Sequence, residues 1–146
     1  MITQGMEMSH VKWDCKYHVV ITPKYRKKIL YGQIKESLGK IIRELARQRG
    51  IEIIEGHLCI DHIHMVIKVP PKYSISMTIG FIKGKSAIRL HQEFGRKYRN
   101  YYGKHFWSRG YYVSTIGLDA KAVIEYVRDQ EKKDKNIEGE QIDMGW

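Results

Sequence analysis

An α+β domain built on an antiparallel sheet is the fold class that the sequence predicts, from three observations. Short β-branched and aromatic runs alternate with two longer stretches of helical periodicity, two of the runs are separated by only two residues, and Pro and Gly fall between the segments. A chain of 146 residues has the length of one compact domain, assigned here to residues 1–134, with 135–146 as a polar tail expected to be mobile.

Each element has its own local reason. Lys16 to Thr22 (KYHVVIT) reads as a first strand closed by Pro23, and the PKYRKK loop that follows carries Lys24, Arg26, Lys27 and Lys28. Ile34, Leu38, Ile41, Ile42 and Leu45 recur at helical spacing, so Gln33 to Arg49 is an amphipathic helix stopped by Gly50. Ile51 to Ile60 and Ile63 to Val69 form a hairpin around Asp61-His62, closed by Pro70-Pro71. Ser74 to Phe94 is a second helix with Ile75, Ile79, Ile82 and Leu90 on one face, although Gly80 and Gly84 weaken its propensity. Tyr111 to Thr115 reads as the last strand, and Asp119 to Lys133 as a final helix begun by an Asp cap. That order is the split βαβ, ferredoxin-like (RRM-like) pattern with an appended C-terminal helix.

Composition narrows the partner. The chain carries 26 Lys+Arg against 16 Asp+Glu, a formal charge of +10, yet 42% apolar and 29% charged residues exclude a disordered polycation. No apolar run approaches the roughly 18 residues of a membrane span and the N-terminus lacks a signal-peptide core, so a cytoplasmic protein without a membrane partner is expected. Cys15 and Cys59 are too few for a disulfide framework and too far apart for a CxxC motif, and read as reduced thiols. With 10 Tyr and 3 Trp, the basic chain fits a polyanion that has π-faces, nucleic acid before membrane.

The sharpest local pattern is Asp61-His62-Ile63-His64. Residues two apart on a strand share a face, so His62 and His64 can act as a two-armed metal clamp while Ile63 enters the core; otherwise they simply flank a core Ile. In the last helix Ala120, Val123, Ile124 and Val127 form the apolar stripe, and Tyr126 and Gln130 lie four apart on a neighbouring strip. A phenol and an amide oxygen there offer a nucleophile and a third ligand, where the alternative is an ordinary boundary Tyr. Phenol is a weak nucleophile at neutral pH, and a divalent cation on the scissile phosphate supplies the missing activation. Two imidazoles and an amide oxygen leave positions open for water and phosphate, which suits Mg²⁺ or Mn²⁺. Asp61 is a further ligand, an orienting partner of a His, or a turn residue; His57 reads as a strand residue without a catalytic role.

A second group runs from Lys83 to Arg109. Lys83, Lys85, Arg89, Arg96, Lys97, Arg99, Lys104 and Arg109 face one acid, Glu93, and are interleaved with Phe94, Tyr98, Tyr101, Tyr102, Phe106 and Trp107. Cations neutralise phosphates and rings stack on unpaired bases, as single-stranded or hairpin nucleic acid requires. Phe106 and Trp107 are the expected core members; Lys83, Lys85, Arg89 and Arg109 are the expected contacts, joined by Lys24, Arg26, Lys27 and Lys28. Gly80 to Ser86 mimics a P-loop but has three residues between its glycines where four are needed.

His62-Ile63-His64 resembles the HUH motif of single-strand nicking enzymes. Together with PKYRKKILYG, KGKSA, HFWSRGYYVST and EYVRDQEK in that order, the chain from about Trp13 to Asp134 resembles the single-tyrosine transposases of the insertion sequence 200/605 (IS200-like) family. The resemblance implies that Tyr126 attacks a DNA phosphate to give a 5′-phosphotyrosine link and a free 3′-OH, with His62, His64 and Gln130 holding the metal. It also implies recognition of hairpins near element ends and a homodimer in which tyrosine helices can be exchanged, with Gly117 placed as the hinge. The protein would be nucleoid-associated when acting on DNA. Two other functions compete: a non-catalytic or domesticated hairpin-binding protein on the same fold, and an RNA-binding protein. The set of His62, His64, Tyr126 and Gln130 favours the enzyme, and the aromatic strand signature of the RNA binder is absent.

Overall fold

The computed structural model describes residues 7–8, 11–95, 106–116, 128 and 141–143. In chain order the strands are β1 (Glu7–Met8), β2 (Val11–Lys12), β3 (Lys16–Ile21), β4 (Glu52–Cys59), β5 (His62–Lys68), β6 (Tyr112–Ile116) and β7 (Gln141–Asp143); the helices are α1 (Gly32–Gln48) and α2 (Ile75–Phe94). β1 and β2 pair as a small ribbon, and the remaining strands form one sheet in the order β6-β3-β5-β4-β7 with every neighbouring pair antiparallel. The β6-β3-β5-β4 order with α1 and α2 as crossovers is the expected split βαβ arrangement.

Alternation along the strands builds the core. Val19 and Ile21 of β3 pair with Met65 and Ile63 of β5, and all four are fully buried with Ile67, Leu38, Ile42, Ile79 and Ile82 in one cluster. Each such side chain contributes about 1.5–3 kcal/mol of transfer free energy. On α1 the five residues read as its apolar stripe are all buried, so its stability comes from docking on the sheet. It ends in a Schellman turn, in which the Ile51 N–H donates to the Ala46 carbonyl (2.9 Å) and the Gly50 N–H to that of Arg47 (3.2 Å), with Gly50 at φ +66°. α2 starts at a Ser74 cap whose Oγ accepts from the Met77 N–H at 3.0 Å.

Beyond β3 the chain is held by the segment before β6. Pro23 bridges Trp107, the Lys24 N–H donates to the Phe106 carbonyl at 2.9 Å, and the Ser108 N–H donates to the Thr22 carbonyl at 2.9 Å. Trp107 stacks edge-on against Phe106 (4.7 Å between centroids), and its indole N–H donates to Ser86 Oγ at 3.0 Å. Phe106 and Trp107 are core residues, as expected, and Ser86 lies inside α2 as a buried acceptor.

The structure departs from the sequence expectation in two places. The hairpin turn is Ile60-Asp61 rather than Asp61-His62, because the Cys59↔His62 pair still belongs to the ladder and makes His62 the first residue of β5. Within the tail expected to be mobile, Gln141–Asp143 adds a strand to the sheet, with register His57↔Asp143 and Cys59↔Gln141. The final helix expected at Asp119 to Lys133 lies outside the described residues, apart from a helical Arg128.

Gly50→Ala forces an L side chain into a left-handed position while its Cβ would meet only Pro70 Cγ at 3.6 Å. Backbone strain without a clash sets the expected loss at about 1–2 kcal/mol, read as a lower urea midpoint at unchanged slope.

Candidate active site

The hairpin carries the site because its turn is short. On β5 the side chains of Ile63, Met65 and Ile67 fill the core, so His62 and His64 stand on the opposite face. Their rings meet edge to face with centroids 4.6 Å apart. The pairing expected of the two residues is therefore present.

Neighbouring strands bring more to the same face. Register places Val20 and His57 directly opposite His64, and His18 diagonal to it. His18 stacks on His64 with 5.6 Å between centroids, its Nε2 3.4 Å from His64 Nδ1, and Tyr112 of β6 approaches His18 edge-on at 5.6 Å. A bulge in β4 between Ile53 and Glu55 inserts one residue, so that Glu55, His57 and Cys59, rather than Ile54, Gly56 and Leu58, face Val66, His64 and His62. Glu55 is buried there beside His57, with 3.5 Å between Oε2 and Nε2, and the Arg128 Nε–H donates to the same Oε2. Arg128 stands two positions from both Tyr126 and Gln130.

Asp61 is committed on both oxygens. Oδ1 accepts from the His62 Nδ1–H at 2.6 Å, and Oδ2 lies 3.0 Å from Arg26 Nη2. A carboxylate can only accept from a His Nδ1, so a proton is on that nitrogen, and whenever the ring is neutral its lone pair is on Nε2. Asp61 thus orients the His62 ring. Burial pushes the His64 imidazole down to about 3, aided by charge repulsion from His62, His18, His57 and Arg26. Burial also lowers His18. At neutral pH the His64 ring is thus uncharged.

No group of three or more His, Cys, Asp or Glu disposed as a metal cage occurs among the described residues. The donor chemistry still fits a divalent ion: two imidazoles on one face, one of them oriented by a carboxylate, need an oxygen donor in addition. Gln130, expected to supply it, lies outside the described residues, as do Tyr126 and Gly117.

The cations expected to touch DNA separate into two groups. Lys28, Lys85 and Arg109 are exposed, whereas Arg26, exposed as well, pairs with Asp61, Arg89 Nη1 pairs with Glu44 Oε2 at 2.9 Å, and Lys83 donates to the Arg109 (2.9 Å) and Gly110 (3.3 Å) carbonyls. Desolvation lowers the Lys83 ammonium, consistent with that half-buried seat. Lys24 is half-buried with Nζ 5.5 Å from the Tyr25 ring centre, and Lys27 is half-buried beside it. Arg96, Lys97, Arg99 and Lys104 lie outside the described residues.

A sheet with helices on one face and a histidine cluster on the other has relatives in both sequence and structure. The model of the IS200-like transposase family matches residues 11–130, and the chain belongs to that family. It is 40% identical to the transposase for insertion sequence element IS200 of Salmonella typhimurium (strain LT2) over 137 residues, 94% of this chain and 89% of that protein. It is 28% identical to the ISDra2 transposase TnpA of Deinococcus radiodurans over 84% of this chain and 88% of that protein. A crystal structure of a transposase from Deinococcus radiodurans R1 superposes with a TM-score of 0.69 at 26% identity, covering 85% of this chain and 96% of that one. The structure of a REP-associated tyrosine transposase bound to a REP hairpin shares the fold, with a TM-score of 0.61 at 17% identity over 87% and 74% of the two chains.

The depressed His64 value sets a pH dependence for the metal-free protein. The unfolded imidazole takes its proton near 6.5 and the folded one only near 3, so the unfolded state binds more protons between those values. Stability is therefore expected to fall as pH is lowered from about 6.5 toward 3. In an NMR titration the His64 ring should remain neutral at pH 5, and a midpoint near 6 would contradict the burial that the structure assigns to it.

Proposed function

We infer that this transposase is a metal-dependent single-strand DNA strand transferase that uses Tyr126 as nucleophile. The observation that carries the reading is the His62–His64 pair on one sheet face, with 4.6 Å between ring centroids, in a chain of the IS200-like transposase family.

His62 and His64, with the amide oxygen of Gln130, would hold Mg²⁺ or Mn²⁺. When bound, such an ion polarises the scissile phosphate and offsets the charge that develops in the transition state. Asp61 keeps the His62 ring in one tautomer and orientation, and the buried sheet face limits water around His64. The Tyr126 hydroxyl oxygen attacks phosphorus and the bond to the 3′ oxygen breaks. The products are a 5′-phosphotyrosine and a 3′-OH, and the phenol proton ends on the departing oxygen. Attack by another 3′-OH reverses these changes and returns the phenol. One phosphoester replaces another at each stage, so rejoining needs no ATP.

The substrate in this reading is single-stranded or hairpin DNA at the ends of an insertion sequence, in the cytoplasm at the nucleoid. Lys28, Lys85 and Arg109 are exposed cations offered to its phosphates. The working unit is a homodimer, with Gly117 as the hinge that lets tyrosine helices be exchanged.

Incubating the protein with single-stranded DNA that carries an element-end hairpin and Mn²⁺ should give a covalent adduct on a denaturing gel. Tyr126→Phe should abolish it. His64→Ala should lower it by about 100-fold or more, the equivalent of the several kcal/mol a catalytic divalent ion contributes, while hairpin affinity is retained. A gel shift without any adduct from the wild type would identify a non-catalytic hairpin-binding protein instead. Strand transfer undiminished in Gly117→Pro would remove the hinge.

A further inference from the structure

The loop between β3 and α1 reads as a run of phosphate contacts, but one of its cations faces the site. Arg26 Nη2 lies 3.0 Å from Asp61 Oδ2, and Oδ1 of that buried carboxylate accepts from His62 Nδ1–H at 2.6 Å. Guanidinium, carboxylate and imidazole thus form a three-member chain that ends on the first residue of β5.

The backbone is arranged to deliver Arg26 there. Tyr25 and Arg26 both lie in the left-handed region, at φ +63° and +49°, which residues with a Cβ occupy only where their surroundings hold them. The Lys24 N–H donates to the Phe106 carbonyl (2.9 Å) and the Arg26 N–H to the Pro23 carbonyl (2.8 Å), fixing the start of the turn. The Leu30 N–H donates to the Ile60 carbonyl at 3.0 Å, so the end of the loop is bonded directly to the hairpin turn that presents Asp61. Arg26 therefore reaches Asp61 from a frame anchored at both sides.

We propose that Arg26 is a positioning residue of the metal site: it clamps Asp61, and Asp61 holds His62 with its proton on Nδ1 and its metal-binding lone pair on Nε2. This rests on the reading of His62 as a metal ligand. The basic loop then has two duties: Lys28 is left to meet phosphate, while Arg26, although its side chain is 61% exposed, is engaged by Asp61. Outer partners of this kind typically change metal affinity by about 10–100-fold.

The test compares full-length wild type, Arg26→Ala, Arg26→Lys and Lys28→Ala. Mn²⁺ affinity is read by electron paramagnetic resonance, the His62 tautomer by imidazole ¹⁵N shifts in metal-free protein, and hairpin affinity by gel shift in EDTA. Arg26→Ala should weaken Mn²⁺ binding by about tenfold or more and move His62 from the Nδ1–H signature to a mixed one, with hairpin affinity within about twofold of wild type. Arg26→Lys, which keeps the charge, should recover part of both effects, a rescue that a general packing role would not give. Lys28→Ala should show the reverse, weaker hairpin binding with Mn²⁺ affinity intact. Unchanged Mn²⁺ affinity and an unchanged tautomer in Arg26→Ala would overturn the proposal, as would a loss confined to hairpin affinity. Failure of the wild type itself to bind Mn²⁺ would instead overturn the metal reading on which the proposal stands. Should Arg26→Ala melt early, Arg26→Gln, closer in size, provides the same readouts.

Discussion

The pleat of β5 is the constraint on which the rest of the structure depends. It lies at the centre of the described sheet, flanked by β3 and β4, so both of its edges are hydrogen-bonded along its length. Ile63, Met65 and Ile67 hold one face to the helices with no exposed surface, and that anchoring forces His62 and His64 to the other. A slip of one residue would exchange the two sets and bury imidazoles among aliphatic side chains. Core stability and placement of the histidines are thus one requirement, met by the same seven residues.

Much of this was legible in the sequence because it depends on local periodicity. The apolar stripe of α1, the Ser74 start of α2 and the division of β5 all follow from spacing, and each stands where the spacing puts it. What could not be read locally depends on register between strands. His18 lies in a run whose Tyr17, Val19 and Ile21 alternate toward the core, which is enough to send it to the outer face, but only its pairing with Val66 brings it beside His64. His57 was harder. Simple alternation from Ile51 and Ile53 predicts the inner face for it, and the bulge before Glu55 reverses that; the doubled Ile53-Ile54 is the trace this leaves in the sequence.

Charge behaves in a similar way. Composition counts every Lys and Arg as available to a polyanion, but a cation already engaged by a carboxylate or by carbonyls contributes field without being an open contact. Arg89 ties α2 to α1 through Glu44, and Lys83 secures the chain leading into β6. Such uses depend on which loop returns beside which helix, information that the residue's own neighbours in sequence do not contain. The basic block is therefore part scaffold and part surface.

The short pairing of β7 with β4 bears on how the chain should be handled. Among the described residues, Gln141–Asp143 cover the outer ladder of His57 to Cys59, the stretch of β4 that stands behind the histidines. An uncovered strand edge is a template for other chains. Trimming the polar C-terminal segment as dispensable would open that edge beside the histidines, inviting intermolecular β-pairing.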